Sequence, residues 1–95
     1  MNYIYMAEYS DNGNREGYED KRDAIIAIIK NYFQEIYPNI INQIKGNTLD
    51  RNDLFHLNQV QADIESILNE GYIEDYAYID KFPVYSDVYG KGKEE

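Results

Sequence analysis

The chain has no cysteine and no tryptophan, a single histidine, and nine bases against 18 acids in 95 residues. Without cysteine there is no disulfide framework, thiolate zinc site or cysteine nucleophile, and the composition fits a reducing compartment. The few bases are spread thinly. Their close pairs are Lys21-Arg22, with acids on both sides, and Lys91 with Lys93. Phosphate contacts need a positive patch, so direct nucleic-acid binding is disfavoured. No apolar run approaches the roughly 18 residues of a membrane span. The stretch Met1-Asn2-Tyr3-Ile4-Tyr5-Met6 lacks the basic start and long apolar core of a signal peptide. The expectation is a cytoplasmic protein with no membrane contact.

What the chain does have is acid, tyrosine and isoleucine. The net charge of −9 predicts solubility and repulsion from nucleic acid and anionic lipid. It is unevenly placed. Residues 8–23 carry a net of −3 and residues 63–87 a net of −6, while the rest of the chain sums to zero. There are 11 tyrosines, 13 isoleucines and 10 asparagines. All three residue types use AT-rich codons, so source-genome bias is a competing explanation to be weighed against every argument from tyrosine.

The length predicts one domain, over 1–89, with a flexible tail at 90–95. Residues 2–9 are rich in β-formers. Ser10-Asp11-Asn12-Gly13-Asn14 is a turn, and a returning strand at 15–18 closes a hairpin. Asp20 is placed to cap a helix ending near Ile36 or Tyr37. Its apolar stripe is Ile25, Ile28, Ile29, Tyr32, Phe33 and Ile36. Pro38 stops or kinks that helix and suits the first turn of another, ending at Gly46-Asn47. Thr48 or Asp50 caps a third helix with the stripe Leu54, Leu57, Val60, Ile64, Ile67 and Leu68, and Gly71 terminates it. Phe55 lies opposite this stripe, as an internal contact or an exposed anchor. Residues 72–80 form a strand, and Val84–Tyr89 a further one. The grouping predicts an α+β fold: a small antiparallel sheet, from an N-terminal hairpin and C-terminal strands, with two to three helices on one face.

Alternation along strands assigns faces. Ile4, Met6 and Glu8 share one face of the first strand; Tyr3, Tyr5, Ala7 and Tyr9 share the other. In the strand 72–80, Ile73, Asp75, Ala77 and Ile79 oppose Tyr72, Glu74, Tyr76, Tyr78 and Asp80. If the aliphatic faces meet the helices, the exposed face presents tyrosines and carboxylates. Such a face suits recognition of a basic protein. Tyrosines that merely pave a solvated sheet, or that pack beneath the helices, are the competing expectations.

The candidate partner-binding residues are therefore Tyr72, Glu74, Asp75, Tyr76, Tyr78, Asp80, Glu16 and Glu19. Carboxylates at Glu16, Glu19, Asp20 and Asp23, and at Glu70, Glu74, Asp75, Asp80 and Asp87, are a candidate imitation of duplex phosphates. The expected function is an acidic protein-binding inhibitor. It would occupy the basic, nucleic-acid-binding surface of a partner or nuclease, as phage-encoded anti-defence (anti-CRISPR-like) and nuclease-immunity proteins do. No motif points to one family. The alternative is a helix-mediated homodimer, because Ile26, Ile40, Ile41 and Ile44 exceed what one small sheet covers.

Catalysis and cofactor binding are weakly supported. His56 borders an apolar stripe and has no cysteine partner. Ser10, Ser66 and Ser86 lack a nucleophile's context, and no Gly-rich phosphate loop follows a strand. From Asp11, an EF-hand register would place Glu16 at the glycine position and Arg22 at the closing glutamate position, so no calcium loop is expected. The chain is read as a non-enzyme without cofactor or metal.

Overall fold

The computed structural model describes residues 2–44 and 50–84. β1 (Asn2–Tyr9) and β2 (Arg15–Tyr18) form the expected hairpin. Its turn is closed by two backbone bonds of 2.9 Å, from the Gly13 N–H to the Tyr9 carbonyl and from the Tyr9 N–H to the Asn14 carbonyl. Gly13 takes a φ of 72°, a conformation that strains most residues with a Cβ.

Helix α1 (Lys21–Glu35) follows. Asp20 holds the N-cap position, but its side chain makes no capping bond. The exposed first turn is instead closed by the Asp20 carbonyl, which accepts from Asp23 and Ala24. Helix α2 (Tyr37–Gln43) starts with Pro38 in its first turn, where a missing N–H costs nothing. Helix α3 (Arg51–Glu70) begins with a reciprocal cap. The Asp53 N–H donates to the Asp50 carboxylate at 2.9 Å, and the Asp50 N–H donates back to Asp53 at 3.1 Å. Gly71 ends it in the left-handed region, φ 84°. Helix α2 ends at Gln43, with Ile44 already extended at ψ 125°, so it stops short of the expected Gly46-Asn47; those residues and the Thr48 cap lie outside the described residues.

The expected strand over 72–80 is corrected to a hairpin. β3 (Tyr72–Ile73) and β4 (Ala77–Val84) are joined by the turn Glu74-Asp75-Tyr76. The Tyr76 N–H closes it on the Ile73 carbonyl at 3.0 Å, with Asp75 at φ 63°. Asp is among the few non-glycine residues that tolerate this region, so a turn forms without a glycine signal. Val84 closes β4; the strand expected beyond it, and the tail at 90–95, lie outside the described residues.

The four strands form an antiparallel sheet in the order β2-β1-β4-β3, with the helices on one face, so the α+β architecture stands. The two central strands pair from Asn2 opposite Val84 to Tyr9 opposite Ala77. Directly opposed residues share a face. Tyr3, Tyr5, Ala7 and Tyr9 therefore lie with Lys81, Ile79 and Ala77, and the helices cover the Ala7–Tyr9 end of this side. Ile4, Met6 and Glu8 lie with Phe82, Asp80 and Tyr78 on the uncovered side. The conditional face assignment thus fails for β1, where the tyrosine side is the one the helices meet.

The core is built around tyrosine. Tyr32, Ile28 and Ile67 are fully buried, and Tyr9, Tyr76, Ala7, Ala77, Val60 and Ile73 join them. Tyr9, Tyr76 and Tyr32 stack edge to face, with ring centres 5.6 and 6.1 Å apart. Each hydroxyl meets a helix side chain. Asn31 donates to the Tyr9 hydroxyl at 2.6 Å, Tyr76 donates to Glu35 at 3.2 Å, and Tyr32 donates to Asp63 at 3.0 Å. A bond of this kind to a charged group contributes on the order of 1.5–3 kcal/mol when shielded, and less where, as at Glu35, the carboxylate stays exposed. Leu54, Phe55 and Leu68 stay exposed on α3, which meets the sheet mainly through edge strand β3. Phe55 is 63% exposed, so the expected internal contact is not made.

Burial raises the pKa of Tyr32 and of Tyr76, and nearby carboxylates (Asp63 and Glu35) add to this. Burial raises Tyr9 as well, against its bond from Asn31. A folded-state value above the ordinary 10.0 gives stability that is complete below that pH and lost as pH climbs through the raised value. Alkali should therefore unfold the protein above about pH 10. Part of the tyrosinate absorbance will appear together with loss of helical circular dichroism. A single smooth tyrosine titration with unchanged dichroism would contradict this.

Candidate functional site

The uncovered face of the sheet is assembled by strand pairing. Cross-strand register sets Arg15, Glu8, Tyr78 and Tyr72 in one row, Gly17, Met6 and Asp80 in the next, and Ile4 and Phe82 in a third. Gly17 matters to this surface. A Cβ there would meet Ile4 Cγ2 at 3.2 Å, so the bare backbone lets Ile4 and Met6 lie across β2. Tyr72, Tyr78 and Phe82 are 44, 41 and 41% exposed, a density of large rings that water does not favour.

The two acidic segments meet on this face. Glu8 comes from the first and Asp80 from the second, on adjacent central strands with Tyr78 between them. Their negative charges, Glu8 first, raise the Tyr78 pKa. Glu8 is held by Arg15 at 3.3 Å. Asp80 is half-buried and has no hydrogen-bond or ion-pair partner among the described residues. Lys81 cannot serve it, because alternation turns Lys81 to the other face, where its ammonium sits 4.2 Å from the centre of the Tyr3 ring.

The sequence-derived candidates divide accordingly. Tyr72, Tyr78 and Asp80 share the open face as expected. Tyr76 does not: the turn swings it into the core, 5% exposed, so it is removed from the candidate surface. Glu74 and Asp75 stand exposed in that turn, rather than on alternate faces of a strand. Glu16 opposes Ala7 and so belongs to the helix-bearing side, where it accepts from the Tyr18 hydroxyl at 2.7 Å. This bond, with burial, pushes Tyr18 up to about 12. Glu16 and Asp23 flank an open cleft of about 430 Å³ with Lys30. Glu19 and Asp20 line another of about 550 Å³ with Tyr3 and Tyr5. Glu70 ends α3, and Asp87 lies outside the described residues. The carboxylates thus stand on several faces rather than in one row.

Sequence pattern missed Phe82, Met6, Ile4 and Glu8. Their signal was the alternation of β1 continued across its partner, which needed the register.

His56 is half-buried beside the Phe55 ring and lines an open cleft of about 450 Å³ near the Asp50–Asp53 cap. Among the described residues, no three His, Asp or Glu side chains converge in a way that could hold a metal ion. Among them, too, no helix is long and apolar enough to cross a membrane.

Because the open face touches no helix, Phe82→Thr should change folding stability by less than about 1 kcal/mol in urea unfolding, threonine keeping the strand preference. Tyr76→Thr, which empties a core position, should cost about 3 kcal/mol or more. Equal losses for the two would show that the open face is not open.

No protein-family model matches this chain, and no curated protein or solved structure matches it.

Proposed function

We propose that this chain is a small acidic protein-binding protein that acts through the open face of its sheet. It docks on a basic surface of a partner and inhibits that partner by covering its nucleic-acid site. Anti-defence and nuclease-immunity proteins act in this general way. One observation carries the proposal: the β1–β4 pairing gathers carboxylates from both acidic segments around exposed aromatic rings. Exposed rings supply contact area at low conformational cost, and the charge speeds encounter with a cationic partner. Because the remaining carboxylates are distributed over other faces, a compact basic patch is favoured as the target over a long duplex groove.

Immobilised protein should capture a basic nucleic-acid-binding protein from a host extract and block its nucleic-acid binding. Asp80→Lys should slow that association about tenfold at low salt, and added salt should erase the difference. Glu65→Lys, the same charge change on α3, should have a much smaller effect. Equal slowing by both variants would assign the effect to net charge. Failure to block nucleic-acid binding would reject inhibition.

A second reading is favoured by a different observation. Ile26 and Phe33 on α1, and Leu54, Phe55 and Leu68 on α3, are exposed apolar side chains. A helix-mediated homodimer would cover such residues. Light scattering at high micromolar concentration should then report twice the chain mass, reduced by Phe55→Ser with Leu68→Ser. A strict monomer would end this reading.

A further inference from the structure

We infer that Asp80 with its flanking rings is a subsite for an arginine side chain of the docked partner. The inference rests on the proposed docking role of the open face and specifies its chemistry.

Asp80 is half-buried on a face whose near neighbours are Met6, Tyr78 and Phe82. A carboxylate losing hydration among such groups is compensated by a cation or by hydrogen-bond donors. Both candidate cations nearby are committed. Arg15 is bound to Glu8, and Lys81 lies over Tyr3 on the reverse face. Tyr78 stands directly opposite Glu8 in the β1–β4 register, and it is the Glu8 charge first, then Asp80, that raises its pKa. The position is therefore complementary to an external cation.

The surroundings select the kind of cation. Tyr78 and Phe82 flank Asp80 two residues to either side on the same strand face, each roughly 7 Å away along the strand. A guanidinium that forks onto the Asp80 carboxylate can lay its plane against one of these rings. A lysine ammonium meets the carboxylate as a hydrated point charge and gains little from the rings. Nothing covalent changes hands; the subsite offers one carboxylate, two ring surfaces and the apolar floor of Met6.

The test uses Nα-acetyl-arginine amide and Nα-acetyl-lysine amide, titrated into the full chain and followed by amide chemical shifts. The expected result is shifts centred on Tyr78, Asp80 and Phe82, with arginine binding several-fold tighter than lysine. Asp80→Asn, close to isosteric on an uncovered face, should keep the spectrum of the folded protein and weaken arginine binding about tenfold. Phe82→Thr should reduce the preference for arginine over lysine while leaving some binding. Equal binding of the two amides, unchanged arginine binding by Asp80→Asn, or shifts centred on the Glu19–Asp20 cleft would overturn the subsite. The two proposals fail separately. Arginine amide binding at Asp80 without capture of any basic protein would reject the docking role and keep the subsite. Salt-sensitive capture unaffected by Asp80→Asn would do the reverse.

Discussion

The structure depends on the need of buried tyrosine hydroxyls for polar partners. Tyr9, Tyr32 and Tyr76 place three aromatic rings between sheet and helices, and each ring carries an oxygen that water no longer reaches freely. An unpaired hydroxyl there would cost about as much as its ring gains. The fold answers with Asn31, Glu35 and Asp63. The first two fix α1 over β1 and over the β3–β4 turn. The third ties α1 to α3, which meets the sheet through its edge strand. Burial holds the Asp63 carboxyl above its ordinary value even though the Tyr32 bond opposes this, so the connection is made at an electrostatic cost.

Putting tyrosines into the core determines what remains outside. With Tyr3, Tyr5 and Tyr9 on the helix-bearing side of β1, the aliphatic side of that strand is turned outward. Ile4, Met6 and Phe82 then form an uncovered apolar floor, and alternation along β4 sets Tyr78 and Asp80 beside it. A face of this composition is unusual for a surface with no partner. Its charge is local: one carboxylate is paired with Arg15, and the other has no side-chain partner among the described residues. Size, acidity and codon bias suggest an acidic inhibitor only in general terms. The half-buried Asp80 gives that suggestion a specific chemical address.

Most of the secondary structure was legible along the chain because its signals are local. Gly13 demands a turn, Pro38 demands a break, Asp50 with Asp53 demands a cap, and Gly71 demands a helix stop. The failures were also local, but of weaker chemistry. Asp75 supplies the left-handed residue of the β3–β4 turn without looking like a turn residue inside Tyr-Ile-Glu-Asp-Tyr-Ala-Tyr-Ile-Asp. That one hairpin moved Tyr76 from the candidate surface into the core and took Glu74 and Asp75 off the sheet. Asp20 shows the opposite case, a residue in the right place whose exposed carboxylate does not form the expected cap.

The acidic surface is where the two levels separate. The sequence by itself determined that the charge is concentrated in residues 8–23 and 63–87, and that tyrosine accompanies it, since composition and order need no folding. It also determined which side chains alternate together within each strand. Only the tertiary structure decided which side the helices cover, because the period of a strand is the same whichever face is buried. Only the β1–β4 register decided that Glu8, Tyr78 and Asp80 are neighbours, because pairing between strands some 70 residues apart is written in no local pattern.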